Sequence, residues 1–347
     1  MKILHISYDS LGNLWVNGGG AKRTDELRSR MIERGHVFDW QYASPDEQKK
    51  GKWWSRLAFM RRMWVNRNDP ALDEYDVISY EFSPFCPIWI PRRLRDRVVL
   101  SIYHLHDLKS LVRKVGPFAL GCWWLQWRVL HKYPRKIALS TTMGHLLNCP
   151  AIPPGVDGDL FEIEPEYTAA DQSHFFLYLG RLDVEMKGID LLLDAWKGVD
   201  SPLWICGRGD VDEIEGMSKA RNLTDRVVVM GPVPEDQKRD MLRRCRAVVM
   251  PSRYEGWGIV AVEAQACAKL VIGSEAVRDA TYRISDQTFN TPEEIQRQAC
   301  IFAEDETRAR ELGLASREWA RKFSWDSMTD QMVEAFGGQP GSDMRRP

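Results

Sequence analysis

The stretch PSRYEGWGIVAVEAQAC, residues 251–267, follows a short apolar strand, VVM (248–250). It turns at Pro251 and Ser252, then runs through a glycine-flanked loop that opens a helix near Ile259. The start of such a helix leaves backbone N–H groups without intrahelical partners at the positive end of the dipole, which makes it an anion site. Glu255 lies in the loop before it, and Glu263, four residues past Ile259, falls one turn up the same face. Two carboxylates around an anion-binding helix start suit a ligand that carries hydroxyls and phosphates together, and a nucleotide sugar is such a ligand. Taken alone, the stretch also fits a plain strand-turn-helix joint with two solvated glutamates, so the remaining residues have to decide.

A chain of 347 residues, 44% of them hydrophobic, is long enough for two domains with sizeable cores. Its net charge of -1 hides an asymmetry: residues 1–150 hold 24 Lys and Arg against 14 Asp and Glu, and the remainder holds 24 against 35. The basic half suggests an anionic partner such as a membrane surface. The seven cysteines are scattered and never spaced as CxxC, which suits reduced core thiols in a cytoplasmic protein and argues against disulfides or a zinc site. The apolar part of MKILHISYDS is too short for a signal peptide, and no apolar run approaches the ~18 residues of a spanning helix. The expected location is therefore cytoplasmic, with any membrane contact peripheral.

Along the chain, KILHISY (2–8) reads as a buried strand. It is followed by a loop containing GGG (18–20) and the helix-period stretch RTDELRSRMIERGH, closed by Gly35. Strand, glycine loop and helix open a doubly wound α/β unit, although GxGxxG is absent. Residues 49–67, KKGKWWSRLAFMRRMWVNR, carry seven basic residues and no acidic one. Trp53, Leu57, Met60 and Trp64 recur there at helical spacing, which fits either a helix lying on an anionic bilayer or one packed on the protein's own core. DVISYEFSP (76–84), RVVLSIYHLHD (97–107) and IALSTT (137–142) read as further strands. The second of these ends in His104, His106 and Asp107, where parallel strands place ligand loops. LGCWWLQWRVLHKYPRK (120–136) reads as a tryptophan-rich core helix.

AIPPGVDGDLF (151–161) is the expected interdomain connector. Its DGD has no third ligand nearby and is not read as a metal site. Beyond it, HFFLYLG, KGIDLLLDAWKG, PLWICG, a polar helix, RVVVMG, EDQKRDMLRRCRA and VVMP alternate strand with helix, the pattern of a parallel sheet covered on both faces. Arg181 and Lys187 follow the first of these strands, the lysine at an expected helix start.

Together the residues resemble the retaining glycosyltransferases of family 4, over nearly the whole chain and most strongly from 151 to 274. The likeness rests on GGGAKRTDELRSRMIERGH, IPPGVDGDLF, GRLDVEMKGIDLLLDAW, ICGRGD, VVVMGPVPEDQ, PSRYEGWGIVAVEAQAC and the FSW before the last helix. It implies the GT-B arrangement, two Rossmann-like domains facing across a cleft. Residues 1–150 would form the acceptor-side domain, with a C-terminal helix (325–337) packing back on it. Residues 151–324 would form the donor domain, and 338–347 a disordered tail. It also implies a nucleotide-diphosphate sugar as donor, an acceptor hydroxyl, retention of configuration by same-face attack, and no metal or other cofactor.

By the same resemblance Arg181 and Lys187 hold the diphosphate together with the amides of Gly258, Ile259, Val260 and, from the first domain, Gly19. Glu263 accepts from the ribose, Glu255 touches the transferred sugar, Val233 meets the base, and His104 lies near the sugar and the incoming hydroxyl, with His106 as the fallback. Three departures stand out: Ala268 and Leu270 at the family's glycine and proline positions, the short SEAVRDATYRISDQTF, and Trp257 in place of Phe. The rival readings are a GT-B epimerase or phosphorylase, and a catalytically silent binding subunit of a glycan-assembly complex.

Overall fold

The structure is a computed structural model that describes residues 1–15, 19–167, 175–282 and 289–337. The expected tail 338–347, together with Gly18 and part of 274–289, lies outside the described residues.

The chain divides into two compact units, one of residues 1–154 with the segment from Trp325 onward, the other Gly155–Ser324. The first contains β1 (Lys2–Ile6), α1 (Gly19–Glu33), β2 (Val37–Gln41), α2 (Pro45–Gln48), α3 (Lys52–Val65), β3 (Val77–Glu81), β4 (Val98–Ile102), α4 (Leu108–Val115), α5 (Ala119–Lys132), β5 (Lys136–Ala138) and α6 (Thr141–Leu147). Its five strands are all parallel in the order β2-β1-β3-β4-β5. The edge strand β2 went unread in the sequence: Val37 is exposed, and VFDWQ alternates with polar residues too briefly to stand out. IALSTT is strand only to Ala138, because the Ser140 side chain then accepts from the Met143 N–H and caps α6. The connector begins later than position 151, since the Ile152 N–H still donates to Ala138 O (2.8 Å) beside β5.

The second unit contains β6 (Phe176–Leu179), α7 (Val184–Lys187), α8 (Ile189–Trp196), β7 (Leu203–Cys206), α9 (Val211–Lys219), β8 (Val227–Met230), α10 (Glu235–Arg244), β9 (Ala247–Met250), α11 (Ile259–Ala266), β10 (Leu270–Gly273), α12 (Pro292–Glu304) and α13 (Glu306–Ala320). Its sheet is again parallel, in the order β10-β9-β6-β7-β8. The helices form because their apolar spacing matches the sheet face. In α8, Ile189, Leu192, Leu193 and Trp196 recur at helical intervals and are all fully buried, with Trp196 edge-on to Phe176. Burying side chains of this size stabilises by about 2 kcal/mol each.

The last helix, α14 (Trp325–Gly337), belongs to the first unit. Arg34 pairs with Asp326 (3.4 Å) and Asp330 (2.8 Å), and Arg135 donates to the carbonyls of Ala335 and Phe336, both at 2.8 Å. These two carbonyls lie in the last turn of α14, where no following N–H within the helix can reach them.

Of the two tryptophan-rich helices, α3 turns its tryptophan stripe outward, one of the two arrangements the sequence left open, and α5 departs from expectation. In α3 the core face is Ser55, Phe59 and Met63, while Trp53, Leu57 and Trp64 are about half exposed. In α5, expected to be core, only Ala119, Gln126 and Leu130 are buried, and Trp124 is 59% exposed. Hydrophobic composition marked both helices as amphipathic without saying which apolar stripe meets the core.

Candidate functional site

In an open parallel sheet, ligands collect beyond the carboxyl ends of the strands where the strand order reverses. In the second unit that point lies between β6 and β9, and the chain leaving those two strands carries GRL (180–182) and PSRYEG (251–256). Topology alone therefore brings together segments about seventy residues apart.

Their junction is tightly made. Lys187 ends the one-turn helix α7 rather than starting a helix as expected, and Gly188 follows at φ +68°. A Cβ on Gly188 would lie 2.2 Å from the carbonyl oxygen of Pro251, so only glycine allows this approach. The Arg253 and Tyr254 N–H groups donate to Met186 O (2.9 and 3.2 Å), and the Arg253 guanidinium grips Asp190 at 2.7 and 2.8 Å. So held, Lys187 Nζ meets Glu255 Oε2 in an ion pair, both side chains more than four-fifths buried. Ser252 Oγ lies 3.5 Å from the same carboxylate oxygen.

Arg181 is exposed just past β6, and its carbonyl accepts from the Tyr178 hydroxyl (2.7 Å). Burial first, and then the negative charge of Glu255, hold the Tyr178 phenol well above its usual range, while Arg181 pulls it back. Both charged groups thus act on one buried hydroxyl at the strand end.

The loop then reaches α11 through Gly258, at φ +102°, where a Cβ would press on Val277 (3.0 Å). Among the described residues no side chain caps this helix, so the first-turn amides of Ile259 and Val260 are available to an anion. Trp257, the departure from Phe, is buried and packs edge-on against Phe323, below the loop. Ala268 stands at φ +55°, so the backbone turn expected of the family's glycine is kept with an alanine in it.

Glu263 is buried in α11, 3.2 Å from Lys238 Nζ of α10. Lys238 was not singled out in the sequence, because a lysine inside EDQKRDMLRR reads as part of a solvated face. Val233 is half-buried just before the start of α10. All eight site residues expected in the second unit thus lie in the loops and first turns beyond its strand ends or, for Glu263, one turn further in. Among the described residues, no group of three or more His, Cys, Asp or Glu is placed to hold a metal ion.

The first unit carries the other three. Gly19 is the exposed first residue of α1, so Gly19 and Gly20 lie within the helix rather than preceding it. His104 is exposed beyond β4, its ring 6.2 Å from that of His106. Gln126 of α5 brackets His106 by accepting from its N–H (3.0 Å) and donating to its carbonyl (3.1 Å). Burial, then Lys114 and His104, push the His106 imidazole down to about 3, so it is neutral at ordinary pH. Beside this loop, buried Arg23 donates to the Tyr103 hydroxyl (3.0 Å), which donates to Glu81; Thr24 also donates to Glu81, at 3.1 Å. This network, unseen in the sequence, fixes the backbone that presents His104.

Two parallel five-stranded sheets with flanking helices, and an anion-ready helix start at a strand-order reversal, define the GT-B class. Sucrose-phosphate synthase from Thermosynechococcus elongatus shares the fold at a TM-score of 0.78, with 20% identity over 96% of this chain and 98% of that one. WaaG, a glycosyltransferase involved in lipopolysaccharide biosynthesis, shares it at 0.71, with 14% identity over 97% and 100%. Residues 161–288, within the second unit, match the glycosyl transferases group 1. An uncharacterized glycosyltransferase of Methanocaldococcus jannaschii is 31% identical over 50% of this chain and 48% of its own length. The phosphatidyl-myo-inositol mannosyltransferase of Mycobacterium leprae is 27% identical over 73% and 70%. The chain spans about half the length of the first two curated relatives it matches, 48% and 50%.

Proposed function

We propose that the protein is a retaining glycosyltransferase that moves a sugar from a nucleotide-diphosphate sugar to an acceptor hydroxyl. The observation that carries this reading is the Lys187–Glu255 pair, held at the uncapped start of α11 by the close approach of Gly188 to Pro251. Arg181, Lys187 and the amides of Gly258, Ile259 and Val260 receive the charge that grows on the departing diphosphate. Such groups stabilise the transition state more than the ground state. Glu255 holds the transferred sugar, Glu263 the ribose, and Val233 borders the base. The acceptor hydroxyl attacks the face from which the diphosphate leaves. Its oxygen bonds the anomeric carbon as the carbon–diphosphate bond breaks, and its proton passes to the diphosphate oxygen. The two fixed cations take the place of a divalent metal, so EDTA should leave turnover unchanged. The name of the Mycobacterium leprae relative suggests inositol-bearing acceptors for a first trial. The test is turnover of a panel of UDP-, GDP-, ADP- and dTDP-sugars with polyol, glycan and glycolipid acceptors, with anomeric configuration read by NMR. No turnover of any donor, with nucleotide affinity unchanged in Glu255→Ala and Lys187→Ala, would overturn it.

We further propose that the first unit docks on an anionic bilayer through α3, extended by the α4–α5 pair. Among the described residues no helix is long and apolar enough to cross a membrane. Residues 49–67 and 108–132 together hold twelve Lys and Arg and no acidic residue. Trp53, Trp54, Leu57 and Trp64 of α3 and Leu120, Trp123 and Trp124 of α5 are exposed. Phe85 contacts both Arg56 and Lys114, and Trp89 contacts both Trp64 and Lys132, so the loop between β3 and β4 ties these helices into one surface. Each basic residue near such a surface adds ~1 kcal/mol. Flotation with phosphatidylglycerol vesicles should fall with salt and in Trp53→Ser or Trp124→Ser; binding indifferent to both would sink the proposal.

A further inference from the structure

We propose that Lys238 is a positioning residue that sets the Glu263 carboxylate for the ribose hydroxyls of the nucleotide, making the site a gauge of ribose rather than of the diphosphate alone. This rests on the donor reading above. The Glu263 side chain is only 6% exposed, and a carboxylate so far out of water needs a counter-charge. Lys238 supplies it from a different helix, with Nζ 3.2 Å from Glu263 Oε2 and 2.9 Å from Glu235 Oε1, three residues back on α10. Burial works against the ammonium, but Glu263 and Glu235 outweigh it and raise its pKa, so the charge is present at all ordinary pH.

Two consequences follow from the geometry. The bond from Lys238 restrains rotation of the Glu263 carboxylate, so the group meets a sugar diol already oriented. A ribose offers neighbouring O–H donors, and hydrogen bonds to a charged acceptor are among the strong ones. Lys238 also lies little more than a turn beyond Val233 and Pro234, where α10 begins, so the base-side loop and the brace on the ribose carboxylate belong to one element.

The experiment is calorimetric titration of the full chain with UDP, GDP, ADP and dTDP, followed by the 2′,3′-dideoxy counterpart of the tightest binder. The wild type is expected to prefer the hydroxylated nucleotide by about 10- to 100-fold. Lys238→Met should bring the two within about threefold by weakening only the hydroxylated one, and Lys238→Arg should restore most of the preference. A structural role alone would weaken both nucleotides in proportion, and that outcome overturns the proposal, as does an undiminished preference in the Met variant. If the Met variant does not fold, Lys238→Gln, which keeps an N–H donor without the charge, replaces it. An intermediate preference is then expected, and a full one refutes. A wild type that binds none of the four nucleotides removes the donor reading and this inference together. One that binds but ignores the hydroxyls removes only the inference.

Discussion

Gly188→Ala is the most searching single change. The new Cβ would lie 2.2 Å from Pro251 O, where ordinary contact starts near 3.4 Å, so the α7 turn and the 251–255 loop must part by about 1 Å. The left-handed φ of +68° adds ~1–2 kcal/mol of strain for alanine. Together with the lost packing, we expect about 2–4 kcal/mol of destabilisation, within the range of severe single substitutions. For a unit of this size that lowers the thermal midpoint by about 5–15 °C. The same parting pulls Lys187 off Glu255, and a misplacement of ~1 Å at a reacting centre costs on the order of 100-fold in rate. The control is Gly216→Ala in α9, where a Cβ meets open space; it should stabilise by about 0.5–1 kcal/mol. Differential scanning calorimetry and donor turnover on the two variants decide. A Gly188→Ala protein with an unmoved midpoint and turnover within twofold of wild type would refute the claim that this approach builds the site.

Lys187→Met and Glu255→Gln should each reduce turnover by about 100- to 1000-fold in steady-state assays, with fold retained by circular dichroism. His106, held neutral down to about 3, binds its proton more weakly folded than unfolded. Its contribution is therefore complete above the usual histidine value and is lost as pH falls from about 6.5 toward 3. His106→Asn should flatten that part of the stability-versus-pH curve in urea titrations. Lys269 is fully buried, donates to Glu166 O (3.0 Å), and is lowered to about 8 by burial. Below that value the folded chain carries a buried charge, so stability should rise between pH 8 and 10.5, and Lys269→Met should abolish the rise.

The second unit was the more legible half in sequence because its strands are short uninterrupted apolar runs, each followed by a glycine or proline turn. Arg181, Lys187, Glu255 and Glu263 stood out by residue type and spacing. Their pairing did not: Lys187 and Glu255 are 68 residues apart, and only the β6–β9 adjacency joins them. Lys238 was hidden among charged neighbours, and Arg23 looked like one of several arginines on α1 until its side chain proved buried. The α5 helix was misjudged for the opposite reason, since tryptophans signal apolar surface without saying what covers it.

The interrupted first unit has a consequence for biosynthesis. Residues 155–324 are complete as a unit when Ser324 has emerged, whereas the unit that begins the chain still lacks Trp325–Gly337. Domains tend to fold as they leave the ribosome, so here the half translated first would finish last. Arg135 would wait 200 residues or more for the carbonyls of Ala335 and Phe336. A nascent chain stalled before α14 would therefore hold a native second unit beside a protease-sensitive first one.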